Sequence, residues 1–309
     1  MTAIEAVSAY LPPQRVPVSE LGPRLGVDAG QMRVYRRFYG FETVCYDPGA
    51  SLTDLLVGAA DKVLARSERG RVRYLIHART LQLVAPHPAN PLHEVRDALG
   101  LDHAVAFAVT QHACASGLLA LETAGRLLAS DGDPDALALV LTGEKAFTAS
   151  AQIMPDVAFM GEGAAAVLVR AGGGRDRMLG YATRTHGQFS AGQHLGPELT
   201  AEYRSLYQDA FAEVVLAAVG TAGVALADVA LLLPQNVNRT SWTRLCRKLG
   251  YPVDRLLLDN LPVLGHCFCA DPFIAYGTAR ELGRLKEGDL YLMAAVGLGA
   301  TFSAMVFRH

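Results

Sequence analysis

Apolar residues along this chain come in short runs that alternate between two periods. Leu52 to Leu64 carries them at helical spacing, which predicts an amphipathic helix, and Arg73 to Ala78 reads as a buried strand running out into a loop. A short helix over Val95 to Leu99, a strand over Ala104 to Val109 and a helix beginning near Cys114 follow. Strands over Asp135 to Thr142 and Gly163 to Val169 complete this half. The second half repeats the order: helix Tyr207 to Val219, strand Val229 to Leu233, helix Thr240 to Leu249, strand Arg255 to Leu258, helix Pro272 to Leu285 and strand Asp289 to Ala295. The closing Gly297-Leu298-Gly299-Ala300-Thr301-Phe302-Ser303-Ala304-Met305-Val306 parallels Gly161-Glu162-Gly163-Ala164-Ala165-Ala166-Val167-Leu168. Alternating strands and helices predict a largely parallel sheet covered by helices. The repetition predicts two duplicated halves, 1–172 and 173–309, hinged at Gly172-Gly173-Gly174. The polar stretch Gly187 to Pro197 reads as a surface excursion bordering the substrate entrance.

With 309 residues, 51% of them hydrophobic and 19% charged, the chain has enough apolar surface for a large core. A formal net charge of −2, with no run of Lys and Arg interleaved with aromatics, argues against nucleic-acid binding. No signal-like start and no stretch of about 18 to 20 apolar residues is present, so the expectation is a soluble cytoplasmic protein with no membrane segment. The cysteines, Cys45, Cys114, Cys246, Cys267 and Cys269, are odd in number and scattered, as suits free thiols. Cys267-Phe268-Cys269 has no second pair to complete a zinc site, so no metal is expected.

One of these thiols carries the chemistry. Cys114 lies in Thr110-Gln111-His112-Ala113-Cys114-Ala115-Ser116-Gly117, where a strand turns into a helix. The dipole and free amides of a helix N-terminus lower a thiol pKa, so this is a place for a thiolate nucleophile. In the duplication, the loop with Gly265-His266 and Asp271 occupies the equivalent place, and a pseudo-twofold arrangement brings the two loops together. His266 is then the general base and later acid, with Asp271 fixing its tautomer. A carboxylate just before Pro272 also suits a helix N-cap. Gly297 and Gly299 are candidates, with the Cys114 amide, for donors to an oxyanion. His112 is a secondary candidate, and the remaining histidines show no ligand spacing.

These motifs in this order resemble the thiolase superfamily, most closely its β-ketoacyl-acyl-carrier-protein synthase III branch. The resemblance spans Ser8-Ala9-Tyr10-Leu11-Pro12-Pro13, the Cys114 loop, Gly161-Glu162-Gly163-Ala164, Leu233-Pro234-Gln235-Asn236-Val237-Asn238, the Gly265 loop and Gly297-Leu298-Gly299. It implies a thiolase-like α/β fold of two duplicated βαβαβ-type halves in five layers (αβαβα), a homodimer, and an acyl group carried as a thioester on Cys114. The condensing enzymes of this branch carry a His where this chain has Gln235 and an Asn where it has His266. The Cys-His-Asp set is similar to that of acyltransferase offshoots found in antibiotic pathways. The resemblance therefore implies transfer of an acyl group to a hydroxyl or amine of a small-molecule acceptor, the alternative being decarboxylative carbon–carbon condensation. No bound cofactor is implied: the donor is an acyl-CoA or the acyl-phosphopantetheine of an acyl carrier protein. Gln235, Asn238 and Gly299 are the expected oxyanion and substrate contacts. Arg36, Arg239, Trp242 and Arg247, with Arg33, Arg37, Arg244 and Lys248, are candidates for the carrier or its pantetheine arm.

Overall fold

The computed structural model describes residues 2–64 and 69–309. Nine strands share one sheet: β1 (Thr2–Tyr10), β2 (Val72–Ala78), β3 (Val105–Val109), β4 (Leu137–Gly143), β5 (Ala164–Ala171), β6 (Arg177–Thr185), β7 (Val229–Pro234), β8 (Leu290–Gly297) and β9 (Thr301–Arg308). Their order is β7-β8-β9-β6-β1-β5-β4-β2-β3. The pairing repeats outward from the middle. β1 is antiparallel to β5, β5 antiparallel to β4, and β4 and β3 flank β2 in parallel. In the other direction β6 is antiparallel to β9, β9 antiparallel to β8, and β8 parallel to β7. A lone parallel bridge from Leu232 to Leu256 stands where a fifth strand would lie.

Strand periodicity sorts the side chains into layers. β4 sends Ala138 and Val140 to one core and Leu137, Leu139 and Leu141 to another, because successive side chains point to opposite faces. β8 likewise divides Tyr291, Met293 and Ala295 from Leu292, Ala294 and Val296. The first set from each strand meets in one central core with the helices α3 (Ser116–Asp131) and α6 (Asp271–Glu281). α1 (Leu52–Leu64) and α2 (Pro91–Ala98) cover the outer face of β2, β4 and β5, while α4 (Pro197–Ala222) and α5 (Arg239–Leu249) cover that of β7, β8 and β9. The result is the expected five-layered α/β architecture. None of the described helices is long and apolar enough to cross a membrane.

Two expectations are corrected. The sheet is mixed rather than largely parallel: Leu298-Gly299-Ala300 is too short to cross over between β8 and β9, so it closes an antiparallel hairpin. Arg255 to Leu258 is not a strand, since residues Val253–Arg255 form a 3-10 turn and only the Leu256 bridge remains. The parallel strands β2, β3, β4 and β7 end on loops that carry Thr80, Cys114, Glu144 and Gln235, and in α/β sheets such carboxyl ends are where sites gather.

Candidate active site

Two mirrored 3-10 turns build the centre, Ala113–Ala115 ahead of α3 and Phe268–Ala270 ahead of α6. Each holds a non-glycine residue in the left-handed region, Ala113 at φ +45° and Phe268 at +53°, a strain that packing on all sides must support. The mirror partner of Cys114 is thus Cys269, and His266 lies three residues before it. Gly117 lets the two turns close on each other, for a Cβ there would stand 2.8 Å from the Phe273 ring and 3.0 Å from the Cys269 carbonyl. The histidine loop is pinned to the first half: His266 N–H donates to the Phe159 carbonyl at 2.8 Å, and Gly161 N–H donates to the His266 carbonyl at 2.9 Å.

The three predicted catalytic side chains come together. His266 Nε2 lies 3.3 Å from Cys114 Sγ, and His266 Nδ1 bonds Asp271 Oδ2. All three are buried. Asp271 does not cap its own helix; it is the first residue of α6, and its carboxylate instead accepts from Cys267 N at 2.8 Å and from the Asn236 amide. Burial alone would drive the His266 pKa down. The charges of Asp271 and Cys114 outweigh it together with the hydrogen bonds from both, and raise it to about 10. In the free enzyme the imidazole is therefore in its protonated, cationic form. The Phe268 ring stacks beside the imidazole, with centroids 6.0 Å apart, and joins Ala146 and Met160 in an apolar cluster edged by Leu81 and Met154.

Two further residues reach the sulfur's surroundings that sequence motifs had not marked. Thr80 Oγ1 donates to Cys114 Sγ at 3.3 Å, and the buried Glu144 accepts from the backbone N–H of Thr80 and of Leu81, each at 2.6 Å. Their signal was positional, as Glu144 directly follows the carboxyl end of β4 and Thr80 lies two residues beyond that of β2. Burial pushes the Glu144 carboxyl up to about 7, against the pull of those amides and of Arg79. A carboxyl that binds its proton more tightly folded than unfolded contributes stability that is full below pH 4.5 and lost as pH rises through 7. The unfolding free energy of wild type relative to Glu144→Gln should accordingly fall by about 2–3 kcal/mol between pH 5 and 7.5. Urea unfolding at both pH values measures it, and a difference that does not change with pH would refute the shift.

Other expected contacts are placed differently. Asn238 is the N-cap of α5, its Oδ1 accepting from Ser241 N at 2.7 Å, so its side chain holds a helix rather than a substrate. Gln235 Oε1 accepts from Val296 N at 2.7 Å, tying β7 to β8. Trp242 is core: it is 2% exposed, packs on Phe211 with centroids 5.2 Å apart, and donates its indole N–H to the Gln235 carbonyl. That burial makes it a core residue rather than a contact of the carrier or its pantetheine arm. Gly297, rather than Gly299, abuts the nucleophile turn, while Gly299, at φ +102°, lies beside Ser190 of the 187–197 excursion. Arg36 pairs with Glu42 at 2.8 Å and Lys248 pairs with Asp209. Arg33, Arg37, Arg239, Arg244 and Arg247 are exposed, and Thr240 Oγ1 donates to the Phe38 carbonyl at 3.1 Å, so α5 and the 33–39 segment present their arginines on adjoining surface. His112 is half-buried, and its Nδ1 has no partner among the described residues.

Known proteins share both sequence and fold with this chain. The family described as 3-oxoacyl-[acyl-carrier-protein (ACP)] synthase III C terminal matches residues 219–309. A β-ketoacyl-[acyl-carrier-protein] synthase III of Rhizorhabdus wittichii is 30% identical over 231 residues, covering 70% of this chain and 70% of that one. Among solved structures, the acyltransferase ChlB3 superposes with a TM-score of 0.87 at 21% identity, covering 99% of this chain and 97% of that one. The 3-oxoacyl-[acyl-carrier-protein] synthase III of Aquifex aeolicus VF5 does so with 0.82 at 22%, covering 100% of both.

Proposed function

The chain belongs to the β-ketoacyl-[acyl-carrier-protein] synthase III family, and from that premise we propose that it is an acyltransferase working through an acyl-Cys114 intermediate, with an acyl carrier protein or CoA thioester as donor and a small-molecule hydroxyl or amine as acceptor, in secondary metabolism. The observation that carries this reading is the Cys114–His266–Asp271 relay, with sulfur and imidazole 3.3 Å apart. One half of the duplicated chain, residues 1–172, supplies the nucleophile, and the other, 173–309, the base.

Mechanism follows from the charges. The Cys114 thiolate attacks the thioester carbonyl, the C–S bond of the donor breaks, and the departing thiolate takes the proton from His266 Nε2. Acylation removes the sulfur's charge, one of the supports of the raised His266 pKa, so the imidazole becomes a free base. It then accepts the acceptor's O–H or N–H proton as that atom attacks the acyl carbonyl, and Cys114 leaves as thiolate. The amide side chain of Gln235 has no proton to exchange near neutral pH, which disfavours the decarboxylative chemistry of the family's condensing members.

The exposed arginines of α5 and the 33–39 segment support docking of a phosphopantetheine arm or an acidic carrier. Support for a homodimer comes from β3, an edge strand paired only through β2 among the described residues, with Val105 59% exposed, and from Leu83, 80% exposed. The test is incubation with acyl-CoA and acyl-carrier thioesters, followed by mass analysis. A mass increase equal to the acyl group on the Cys114 peptide, discharged by an acceptor to an ester or amide, is the expected result. Carbon dioxide release with a lengthened product would establish condensation instead.

A further inference from the structure

Thr80 belongs to none of the motifs that pointed to this site, yet its hydroxyl lies as close to Cys114 Sγ as the imidazole does, 3.3 Å in each case. We propose that Thr80 is a catalytic residue, holding the Cys114 thiolate by a charge-assisted hydrogen bond, and that Glu144 is its positioning residue. The proposal rests on Cys114 as the nucleophile, but not on which acceptor receives the acyl group.

Thr80 has one hydroxyl proton and two sulfurs to choose between, Cys114 at 3.3 Å and Cys269 at 3.7 Å. Cys269 already donates its own proton to the Ala113 carbonyl, at 3.1 Å. Its burial, then the charges of Glu144 and Cys114, push its pKa well up, so it stays a neutral thiol. A thiolate is the stronger acceptor, and the Thr80 proton faces Cys114 whenever that sulfur is charged. When the C–S bond forms, the sulfur's lone pair is drawn into the thioester and the hydroxyl is released toward Cys269. When the acyl group leaves, the electron pair returns to the sulfur and the hydroxyl turns back to meet it. The same bond thus assists formation of the acyl-enzyme's nucleophile and departure of its leaving group.

The direction of the hydroxyl is set before any substrate arrives. Glu144 holds the amides of Thr80 and Leu81, and the Arg79 guanidinium donates to the Leu81 and Gln82 carbonyls at 2.6 and 2.5 Å, so the segment after β2 is fixed at consecutive residues. Such preorganisation makes one hydrogen bond to a charge effective. Cys269 sits in the turn that mirrors Cys114, and these surroundings explain why only one of two topologically equivalent thiols is the nucleophile.

The experiment is the rate of carbamidomethylation of the Cys114 peptide against pH, read by mass spectrometry in wild type, Thr80→Val, Thr80→Ser and Glu144→Gln. Loss of a hydrogen bond to a charged group should move the midpoint of the Thr80→Val profile up by about one pH unit, a tenfold drop in thiolate below it. Thr80→Ser, which keeps the hydroxyl, should follow wild type, and Glu144→Gln should shift in the same direction by less. Thr80→Ala carries the same test if valine does not pack. A hydroxyl-free variant that is folded and titrates with wild type would overturn the proposal. Alkylation needs no acyl donor, so failure of acyl transfer would leave this result readable.

Discussion

Asp271→Asn should lower kcat for acyl transfer by about 10³–10⁴-fold, the order seen when the carboxylate that orients a catalytic histidine is replaced by its amide. Once the acyl-enzyme has formed and the imidazole is neutral, Asp271 Oδ2 holds its hydrogen on Nδ1 and leaves the Nε2 lone pair free for the acceptor. An amide whose nitrogen faces Nδ1 donates to it instead, which moves the ring hydrogen to Nε2 and removes the base. The same carboxylate accepts from Cys267 N and from Asn236 N, so an amide also leaves a backbone donor unpaired, costing about 1–3 kcal/mol. Single-turnover transfer from a preformed acyl-enzyme, measured well below the melting temperature, separates the two effects. Activity within tenfold of wild type in a folded variant would reduce Asp271 to a support of the loop.

Much of this centre was legible in the sequence because the chain states its own duplication. Strands over 137–143 and 164–171 and helices over 52–64 and 239–249 follow from apolar periodicity, since each presents one or two faces to a core. The two strands of the nine-stranded sheet that periodicity did not announce are β1 and β6, which join the halves. They are half-exposed, carry polar residues such as Glu5, Arg177 and Arg184, and each has a register shift that breaks the two-residue period. α4 begins at Pro197, ten residues before the predicted start, because its first turns are exposed and have no apolar stripe to show. α6 stops at Glu281, with Gly283 at φ +64°, and not at Leu285. Cys114 and His266 could be paired from their equivalent loops, whereas Thr80 and Glu144 could not. A threonine after a strand is common, and only the folded register of β2 beside β3 and β4 brings it to the sulfur.

Gly297→Ala should cost the fold about 3 kcal/mol or more and should also remove acyl labelling of Cys114, although residue 297 lies 183 positions away in sequence. Gly297 closes β8 with a φ outside the left-handed region, so its need is for space and not for a special backbone. A Cβ there would stand 1.8 Å from the His112 carbonyl oxygen and 3.3 Å from Ala113 Cβ. That oxygen cannot retreat freely, because it accepts from Ala115 N at 3.0 Å and thereby closes the turn that aims Cys114. Relief of the clash must either push β8 off its pairing with Thr301 and the rest of β9 or open the nucleophile turn. Gly173→Ala, where an added Cβ meets nothing within 4 Å, is the control and should stay within about 0.5 kcal/mol of wild type. Urea unfolding and mass analysis of the Cys114 peptide read the two effects on the same samples. Should Gly297→Ala unfold and label as wild type does, the last strands of the second half would have no part in shaping the nucleophile of the first.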